Sequence, residues 1–378
     1  MRISRRDLLR RLGRGAVAGT ALSLVDTAHA EMVAAPPMHR HDGPIRLNMN
    51  ENAYGASDRA TAALRIGLGE VHRYPDSEQM LVAMIAYLHR VAPEQVVLGC
   101  GARGILRTAA AAFLGPGKKL VLASPTFDAI ARYARAIGAD VASVSLDARH
   151  AHDLERMLAR ADASTGLVYI CNPNNPTGSL TRRADLEAFI RRVPATTRVL
   201  IDEAYHDYVG ESSAYASFID RPVDDDRVIV MRTFSKIYGL AGLRLGYAIA
   251  HTTVARELAS RQPAMEVNAL ALAAGMAAIG DRQHVRRSLQ RNANDRQEFY
   301  NQANTRMLRV IDSHTNFFMM KTGRPAAAVI DHLHKHDILV GPPVPTMARH
   351  IRVSLGIPAE MREFWRIWDT MAPQRTHM

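Results

Sequence analysis

The chain has 378 residues, of which 47% are hydrophobic and 22% are charged, a composition typical of a globular protein with a sizeable core. Its formal net charge is +11, but residues 1–30 contain six Arg and two Asp, and the remaining +7 is dispersed. Without a run of Lys and Arg or an interleaved aromatic stripe, this charge does not indicate a nucleic-acid-binding protein. The sequence contains no stretch of about 18 uncharged apolar residues, which argues against a multi-span membrane protein.

The first thirty residues have the order of an export signal. The pair Arg5-Arg6 lies in a charged front, a short apolar stretch follows from Gly15 to Val25, and Ala28-His29-Ala30 offers a small-x-small cleavage site. The arginine pair resembles the twin-arginine signal, which exports folded proteins. We therefore expect residues 1–30 to be removed and the protein to be periplasmic. A frayed basic N-terminus without an address function would instead leave the protein in the cytoplasm.

From about residue 96 to residue 250, short apolar runs alternate with segments of helical periodicity. The predicted strands are 96–98, 120–122, 167–170, 199–201, 228–230 and 245–247. Continuous apolar strands separated by helices are typical of a mostly parallel sheet covered on both faces, which binds ligands at the carboxyl ends of its strands. After about residue 270, long helical stretches with two short strands, at 316–320 and 351–354, predict a smaller α+β domain.

Side chains suited to a phosphorylated aldehyde follow these predicted strands. A glycine-rich turn, 99–104, opens a helix after the first strand, and backbone N–H groups at a helix N-terminus favour a phosphate. The chain has only five lysines, and one of them, Lys236, follows strand 228–230. A lysine amine can lose its proton and attack a carbonyl, whereas a guanidinium cannot.

Together these groups fit pyridoxal 5'-phosphate (PLP). This cofactor needs an amine for its aldehyde, a carboxylate for its pyridine nitrogen, donors for its phosphate and its ring oxygen, and an aromatic group for its ring face. In that order the sequence offers Lys236, Asp202, the turn 101–103 with Ser235 and Arg244, the pair Asn175 and Tyr205, and Phe127.

The order and spacing of these motifs over about residues 45–360 resemble the fold-type I aminotransferases, in particular the histidinol-phosphate aminotransferase group. The resemblance implies an α/β fold-type I PLP transferase, with a large domain built on a mostly parallel seven-stranded sheet and a smaller α+β domain. It implies a homodimer that uses an amino donor and a 2-oxo acid acceptor. The expected division of the chain is an export signal at 1–30, an N-terminal arm at 31–64, a large PLP-binding domain at 65–270 and a small C-terminal domain at 271–378.

The resemblance also implies a role for each candidate residue. Lys236 would form the Schiff base and move a proton, with Asp202 and Tyr205 as the other catalytic residues. In the arm, whose motif is 47–52, Asn52 would contact the substrate, and Arg352 would hold the substrate's carboxylate. The implied cofactor-binding residues are Ala102, Arg103, Phe127, Asn175, Asp202, Tyr205, Ser235, Lys236, Arg244 and, reaching the neighbouring subunit's cofactor, Tyr74.

Three features of the sequence depart from the pattern of that group. Arg103-Gly104 stands where an acidic pair is usual, and Phe127 stands where tyrosine is common. Gly341 stands where the histidinol-phosphate enzymes have an arginine that grips the substrate's phosphate, so a charge-assisted contact is missing. Because histidine biosynthesis is cytoplasmic, the predicted export also argues against that substrate.

We therefore expect an aminotransferase that moves an amino group between an L-amino acid, or a related amine, and a 2-oxo acid. The alternatives are histidinol-phosphate aminotransferase proper, a PLP-dependent lyase, decarboxylase or racemase on the same scaffold, and a non-catalytic PLP-binding or amine-binding module. No metal site is predicted, since a polar helix end explains His332 and His336. Cys100 and Cys171 both follow strands, but their pairing cannot be deduced from two positions.

Overall fold

The computed structural model describes residues 43–75 and 77–371. The predicted export signal, residues 1–30, lies outside the described residues. The described part from residue 43 onward belongs to one compact unit. The boundaries expected at residues 64 and 270 therefore remain predictions. Within the described part, no helix combines the length and the apolar character that a membrane span requires.

The described strands and helices alternate through the first two thirds of the chain, as the sequence predicts. In chain order the strands are β1 Ile45–Leu47, β2 Val96–Cys100, β3 Lys119–Ser124, β4 Asp140–Ser145, β5 Thr165–Cys171, β6 Arg198–Asp202, β7 Val228–Thr233, β8 Leu245–Ala250, β9 Arg309–Val310, β10 Phe317–Lys321, β11 Ile338–Val340 and β12 His350–Ser354. The helices are α1 Asp58–Gly67, α2 Gln79–His89, α3 Gly101–Phe113, α4 Ala129–Ala136, α5 Leu154–Leu158, α6 Arg183–Arg192, α7 Thr252–Ala259, α8 Ala269–Ile279, α9 Arg282–Thr305, α10 Ala326–His334 and α11 Pro358–Asp369.

Seven strands form one sheet in the order β2-β8-β7-β6-β5-β3-β4. Only β8 runs antiparallel to its two neighbours, β2 and β7, and the other pairs are parallel. The expected mostly parallel, seven-stranded sheet is thus confirmed. All six predicted strands are present, and the strand that the sequence analysis missed is β4, at the edge. The carboxyl ends of β3, β5, β6 and β7 lie at one edge of the sheet, where a ligand is expected.

The central strands read as continuous apolar runs because helices cover both faces of the sheet. All seven residues of β5 are buried. Since side chains alternate between the faces of a strand, Val168 and Ile170 belong to one apolar cluster, and Tyr169 and Cys171 belong to another. The alternation places Tyr169 on the face that is covered by α3, whose Ile105 lies in the same cluster.

The C-terminal third forms a second, smaller sheet with its own apolar cluster. Strands β12, β10 and β9 are antiparallel and lie in that order. This result confirms the two strands predicted near 316–320 and 351–354. The cluster includes Phe299, Phe318 and Trp365 together with Leu47, which comes from the start of the described chain. Leu47 reaches it because β1 pairs in parallel with β11.

Candidate active site

The predicted site residues lie at the carboxyl edge of the large sheet and on β12. Lys236 follows β7, Asp202 ends β6, and Asn175 follows β5. Direct contacts link several of them. The Lys236 Nζ lies 5.5 Å from the centre of the Tyr205 ring, and the Asn175 Nδ2 lies 3.4 Å from the Tyr205 hydroxyl. The Arg352 Nη1 donates to the Asn175 Oδ1 at 2.6 Å, which joins the second sheet to the first.

Asp202 is a buried carboxylate held by two hydrogen-bond donors. Its side chain accepts from the Tyr169 hydroxyl at 2.7 Å and from the Ala204 N–H at 3.0 Å. Burial raises the pKa of Asp202 from 3.8 to about 6, although both hydrogen bonds oppose that rise by stabilising the ionised form. Such a carboxylate can retain a proton at a neighbouring pyridine nitrogen. Sequence reasoning missed Tyr169, for which the available signal was a hydroxyl-bearing residue inside a wholly apolar strand.

Lys236 carries a half-buried amine that the N-terminal arm contacts. Its Nζ donates to the Asn50 carbonyl oxygen at 2.9 Å and to the Met49 carbonyl oxygen at 3.3 Å. Burial is the main cause that lowers the pKa of Lys236 from 10.5 to about 7, and the positive charge of Arg352 adds to it. A substantial fraction of this amine is therefore neutral, and hence nucleophilic, near neutral pH.

A set of phosphate donors surrounds the start of α3. The Arg244 Nη1 donates to the Ser235 Oγ at 3.2 Å, and Arg244 itself adopts a left-handed backbone with φ of 58°. Gly101 has φ of +67°, and a Cβ atom there would overlap the Arg244 guanidinium. The first turn of α3 carries no acidic residue, and no side chain caps it. Free N–H groups, a hydroxyl and a guanidinium at one helix N-terminus fit the phosphate of PLP.

Two of the sequence departures have close neighbours at this turn. The Arg103 guanidinium lies 5.5 Å from the centre of the Phe127 ring, so the cation packs over the aromatic that was predicted to stack on the cofactor. Glu266 supplies a carboxylate beside the turn, because its Oε1 would lie 2.8 Å from a Cβ atom on Gly104. That oxygen accepts from the Arg107 Nη2 at 2.7 Å. A negative charge from another part of the chain thus occupies the space that Gly104 leaves open.

The predicted substrate residues differ in what they contact. The Arg352 Nη2 donates to the Asn48 carbonyl oxygen at 2.8 Å, and burial lowers the pKa of this guanidinium. The Asn52 Nδ2 donates to the Ile237 carbonyl oxygen at 2.9 Å, so Asn52 ties the arm to the residue after Lys236. Its contact with a substrate remains a prediction. Tyr74 is 81% exposed, and its reach toward a neighbouring subunit's cofactor also remains a prediction.

Asn50 and Asn316 are two further polar residues that hold the arm in place. The Asn316 Nδ2 donates to the carbonyl oxygens of Asn50 at 3.2 Å and Glu51 at 2.8 Å. Asn50 contacts both Lys236 and Tyr205. Sequence reasoning placed Asn50 in the arm motif but assigned it no role, because nothing in one sequence separates it from the other asparagines of that motif.

The two cysteines form no disulfide, and the histidine-rich helix end has a hydrogen-bond partner of its own. Both thiols are free, and the Cys171 Sγ donates to the Pro173 carbonyl oxygen at 3.4 Å. The His332 Nε2 lies 3.1 Å from the Thr370 Oγ1. In the described ranges, no group of three or more His, Cys, Asp or Glu side chains is arranged to hold a metal ion.

Comparison with known proteins agrees with this geometry. Residues 42–366 match the sequence profile of the family "Aminotransferase class I and II". A histidinol-phosphate aminotransferase of Symbiobacterium thermophilum is 36% identical over 322 residues, which cover 85% of this chain and 88% of that protein. Histidinol-phosphate aminotransferase 2 of Pseudomonas fluorescens is 38% identical over 85% of this chain and 86% of its own length. The crystal structure of histidinol-phosphate aminotransferase from Sinorhizobium meliloti in complex with PLP has a TM-score of 0.81 and 28% identity, covering 87% of this chain and 92% of that one.

Proposed function

This chain belongs to the class I and II aminotransferase family and is a PLP-dependent aminotransferase. On that premise we propose that its amino donor is an L-amino acid, or a related amine, that carries no phosphate. We also propose that Lys236 links to the cofactor. The observation that carries the assignment of Lys236 is that its amine and the Asp202 carboxylate, at the carboxyl edge of the large sheet, meet the Arg352 guanidinium from β12.

When bound, PLP supplies an electrophilic aldehyde and a ring that withdraws electrons from the substrate's Cα. The residues present fit that group. Ser235, Arg244 and the first turn of α3 would bind its phosphate, and Phe127 would cover one face of its ring. Asp202 would hold a proton at the pyridine nitrogen, because Tyr169 and the Ala204 N–H already stabilise the ionised carboxylate.

Lys236 and Arg352 would then act on the substrate itself. A neutral Lys236 amine could accept the proton from the substrate's Cα and return it two bonds away, to the carbon on the far side of the substrate's nitrogen, and its lowered pKa supports that role. Arg352 would bind the substrate carboxylate in a two-point contact and so orient the bond that breaks. The buried Asn175 side chain, hydrogen-bonded to Arg352, would hold that guanidinium in place.

Histidinol phosphate is the second candidate donor, and the names of the relatives favour it. Gly341 argues against it, because this residue directly after β11 has no side chain and the expected phosphate-binding arginine is missing. The deciding experiment offers the holoenzyme single amino donors, including histidinol phosphate, and measures the loss of the PLP absorbance. Turnover with 2-oxoglutarate as acceptor then separates the candidates. A higher kcat/KM for histidinol phosphate than for every unphosphorylated donor would overturn the proposal.

Borohydride reduction tests the assignment of Lys236. Reduction of the holoenzyme should fix the cofactor to the chain permanently, and digestion should place the added mass on the peptide that contains Lys236. The Lys236→Ala variant should show no such mass and no turnover. A label on another lysine, for example the exposed Lys335, would contradict the assignment.

A homodimer and export to the periplasm are part of the same proposal. Exposed apolar side chains cluster in sequence around Tyr74, and a surface of this kind supports contact with a second copy. They are Ile66, Leu68, Val71 and Tyr74, all more than half exposed. Light scattering of the purified protein measures whether it is a dimer.

The pair Arg5-Arg6 supports export to the periplasm. Cell fractionation of the full chain, with and without Arg5→Lys and Arg6→Lys, measures that export.

A further inference from the structure

We propose that Asn50 is a positioning residue for this reaction: its side-chain amide directs the hydroxyl proton of Tyr205, and its backbone carbonyl directs the lone pair of Lys236. The inference rests on the proposed function, because the Tyr205 proton would point to the cofactor's ring oxygen and the Lys236 lone pair would point to the reacting atoms. It concerns a residue of the arm to which the resemblance assigns no role.

The orientation of the Asn50 amide is determined by Ser354. The Ser354 Oγ accepts the Asn50 backbone N–H at 2.9 Å and lies 3.0 Å from the Asn50 Oδ1. An amide oxygen can only accept, so the Ser354 hydroxyl donates its proton to the Asn50 Oδ1. The amide oxygen therefore points to Ser354, and the Nδ2 group points the other way. Asn50 is 1% exposed, so solvent does not compete for these groups.

The Nδ2 group of Asn50 donates to the Tyr205 hydroxyl oxygen at 2.9 Å. The Asn175 Nδ2 faces the same oxygen at 3.4 Å. Since both neighbours are donors, the hydroxyl proton of Tyr205 is not used by either of them and is free for another acceptor. Burial raises the pKa of Tyr205 above its usual value, so the hydroxyl stays protonated. The ring oxygen of the cofactor, which the sequence analysis assigned to Tyr205 and Asn175, is the acceptor of the right chemistry.

The backbone carbonyl of Asn50 helps to fix the orientation of the Lys236 amine. A neutral amine has two N–H groups, and two carbonyl oxygens, of Asn50 at 2.9 Å and of Met49 at 3.3 Å, accept from the Lys236 Nζ. The lone pair therefore points away from the arm. Asn50 has φ of 53°, a left-handed conformation that asparagine tolerates better than most residues. The same conformation turns its carbonyl toward Lys236 while its side chain contacts Tyr205.

The Asn50→Asp exchange separates this role from a merely structural one. Aspartate keeps the size of the side chain and its tolerance of positive φ, but it replaces the donor with an acceptor. The introduced carboxylate would accept the Tyr205 proton and turn it away from the cofactor. The measured quantity is the pH midpoint at which the visible absorbance of the holoenzyme changes. We expect an upward shift of about one pH unit, because the ring oxygen loses a donor and becomes more basic.

A double-mutant cycle excludes a simple charge effect. Tyr205→Phe should move the midpoint in the same direction, and Asn50→Asp with Tyr205→Phe should move it no further than Tyr205→Phe alone. Additive shifts would show that the new charge acts without Tyr205 and would overturn the inference. Asn292→Asp is the matched control. It makes the same exchange at a buried asparagine whose Nδ2 donates to the Thr315 carbonyl oxygen, and its midpoint should equal that of the unaltered protein.

A second variant keeps the inference testable if Asn50→Asp does not fold. Asn50→Gly removes only the side chain, because glycine adopts φ of 53° without strain and leaves both arm carbonyls in place. It should shift the midpoint upward by less than Asn50→Asp. An unchanged midpoint in Asn50→Gly overturns the role of the amide. Failure of the proposed function is a separate result, since the unaltered protein would then show no pH-dependent cofactor absorbance.

Discussion

Gly341 and Arg352 are packed so closely that no side chain fits between them. A Cβ atom on Gly341 would lie 2.9 Å from both the Cβ and the Nε of Arg352. The Gly341 N–H also donates to the Arg352 carbonyl oxygen at 2.8 Å. Glycine at position 341 therefore does more than remove a phosphate contact. It leaves the space that the Arg352 side chain needs to place its guanidinium between Asn175 and the arm.

Gly341→Ala should weaken substrate binding by displacing Arg352. A methyl group at 341 pushes the guanidinium away from Asn175 and from the expected carboxylate, and a charge-assisted hydrogen bond is worth about 1.5–3 kcal/mol. Steady-state kinetics should show a KM for the amino donor that is about tenfold higher or more. Gly280→Ala is the control, because nothing lies within 4 Å of a Cβ atom at that position. An unchanged KM in Gly341→Ala would contradict the packing argument.

Gly101→Ala should weaken cofactor binding. The new Cβ atom would overlap the Arg244 guanidinium and would strain a backbone with φ of +67°. We expect the Kd of the apoprotein for PLP, measured by equilibrium titration, to rise by about tenfold or more. Gly117→Ala carries the same backbone strain, with φ of +75°, but meets no atom within 4 Å. If the two variants lose PLP affinity equally, strain alone explains the effect and the role of Arg244 is wrong.

Asp202 should make the cofactor-free protein less stable as the pH rises. Its pKa in the folded chain is about 6 and its ordinary value is 3.8, so the folded protein retains a proton that the unfolded chain has lost. This contribution to the free energy of unfolding therefore decreases between about pH 4 and pH 6, by about 3 kcal/mol, and is constant above that range. Urea denaturation at several pH values should show the decrease in the original apoprotein relative to Asp202→Asn. A difference that grows with pH would mean that the carboxylate is stabilised in its ionised form.

Lys236 should react with electrophiles at lower pH than an ordinary lysine. Trace acetylation of the apoprotein, followed by mass spectrometry of its peptides, should give a reactivity midpoint at about pH 7 for Lys236. The exposed Lys335 serves as an internal reference for the reagent. Arg352→Gln should raise the midpoint, because it removes a nearby positive charge that disfavours the ammonium form. A lower midpoint in that variant would refute the electrostatic explanation.

Much of the sheet could be predicted from the sequence because buried parallel strands are continuous apolar runs. β5 is buried at every position, and its pattern needs no knowledge of the rest of the chain. The edge strand β4, with the sequence Asp-Val-Ala-Ser-Val-Ser, is only partly covered and mixes polar and apolar residues. It therefore lacks that signal. β1 and β11 have three residues each, and their pairing joins parts of the chain that no local pattern connects.

The site could be predicted where a residue type is unusual for its place. Lys236 is one of only five lysines in the chain and follows a strand, and Asp202 ends an apolar run. The role of Asn50 could not be predicted, because it depends on hydrogen bonds to residues far away in the chain. The hydroxyl of Tyr169 inside an apolar strand was a signal, but its partner Asp202 lies in another strand and could not be identified from it. The same holds for Glu266, which replaces in space an acid that the sequence lacks at 103–104.

The pairing of β1 with β11 has a consequence for biosynthesis. A ribosome makes the arm first, but its partners, residues 338–340 and Ser354, are among the last to emerge. Until then, the Asn50 and Met49 carbonyls lack the strands that align them with Lys236. The vitamin B6 pocket can therefore mature only after translation is nearly complete, and nascent chains arrested before residue 338 should not retain the coenzyme.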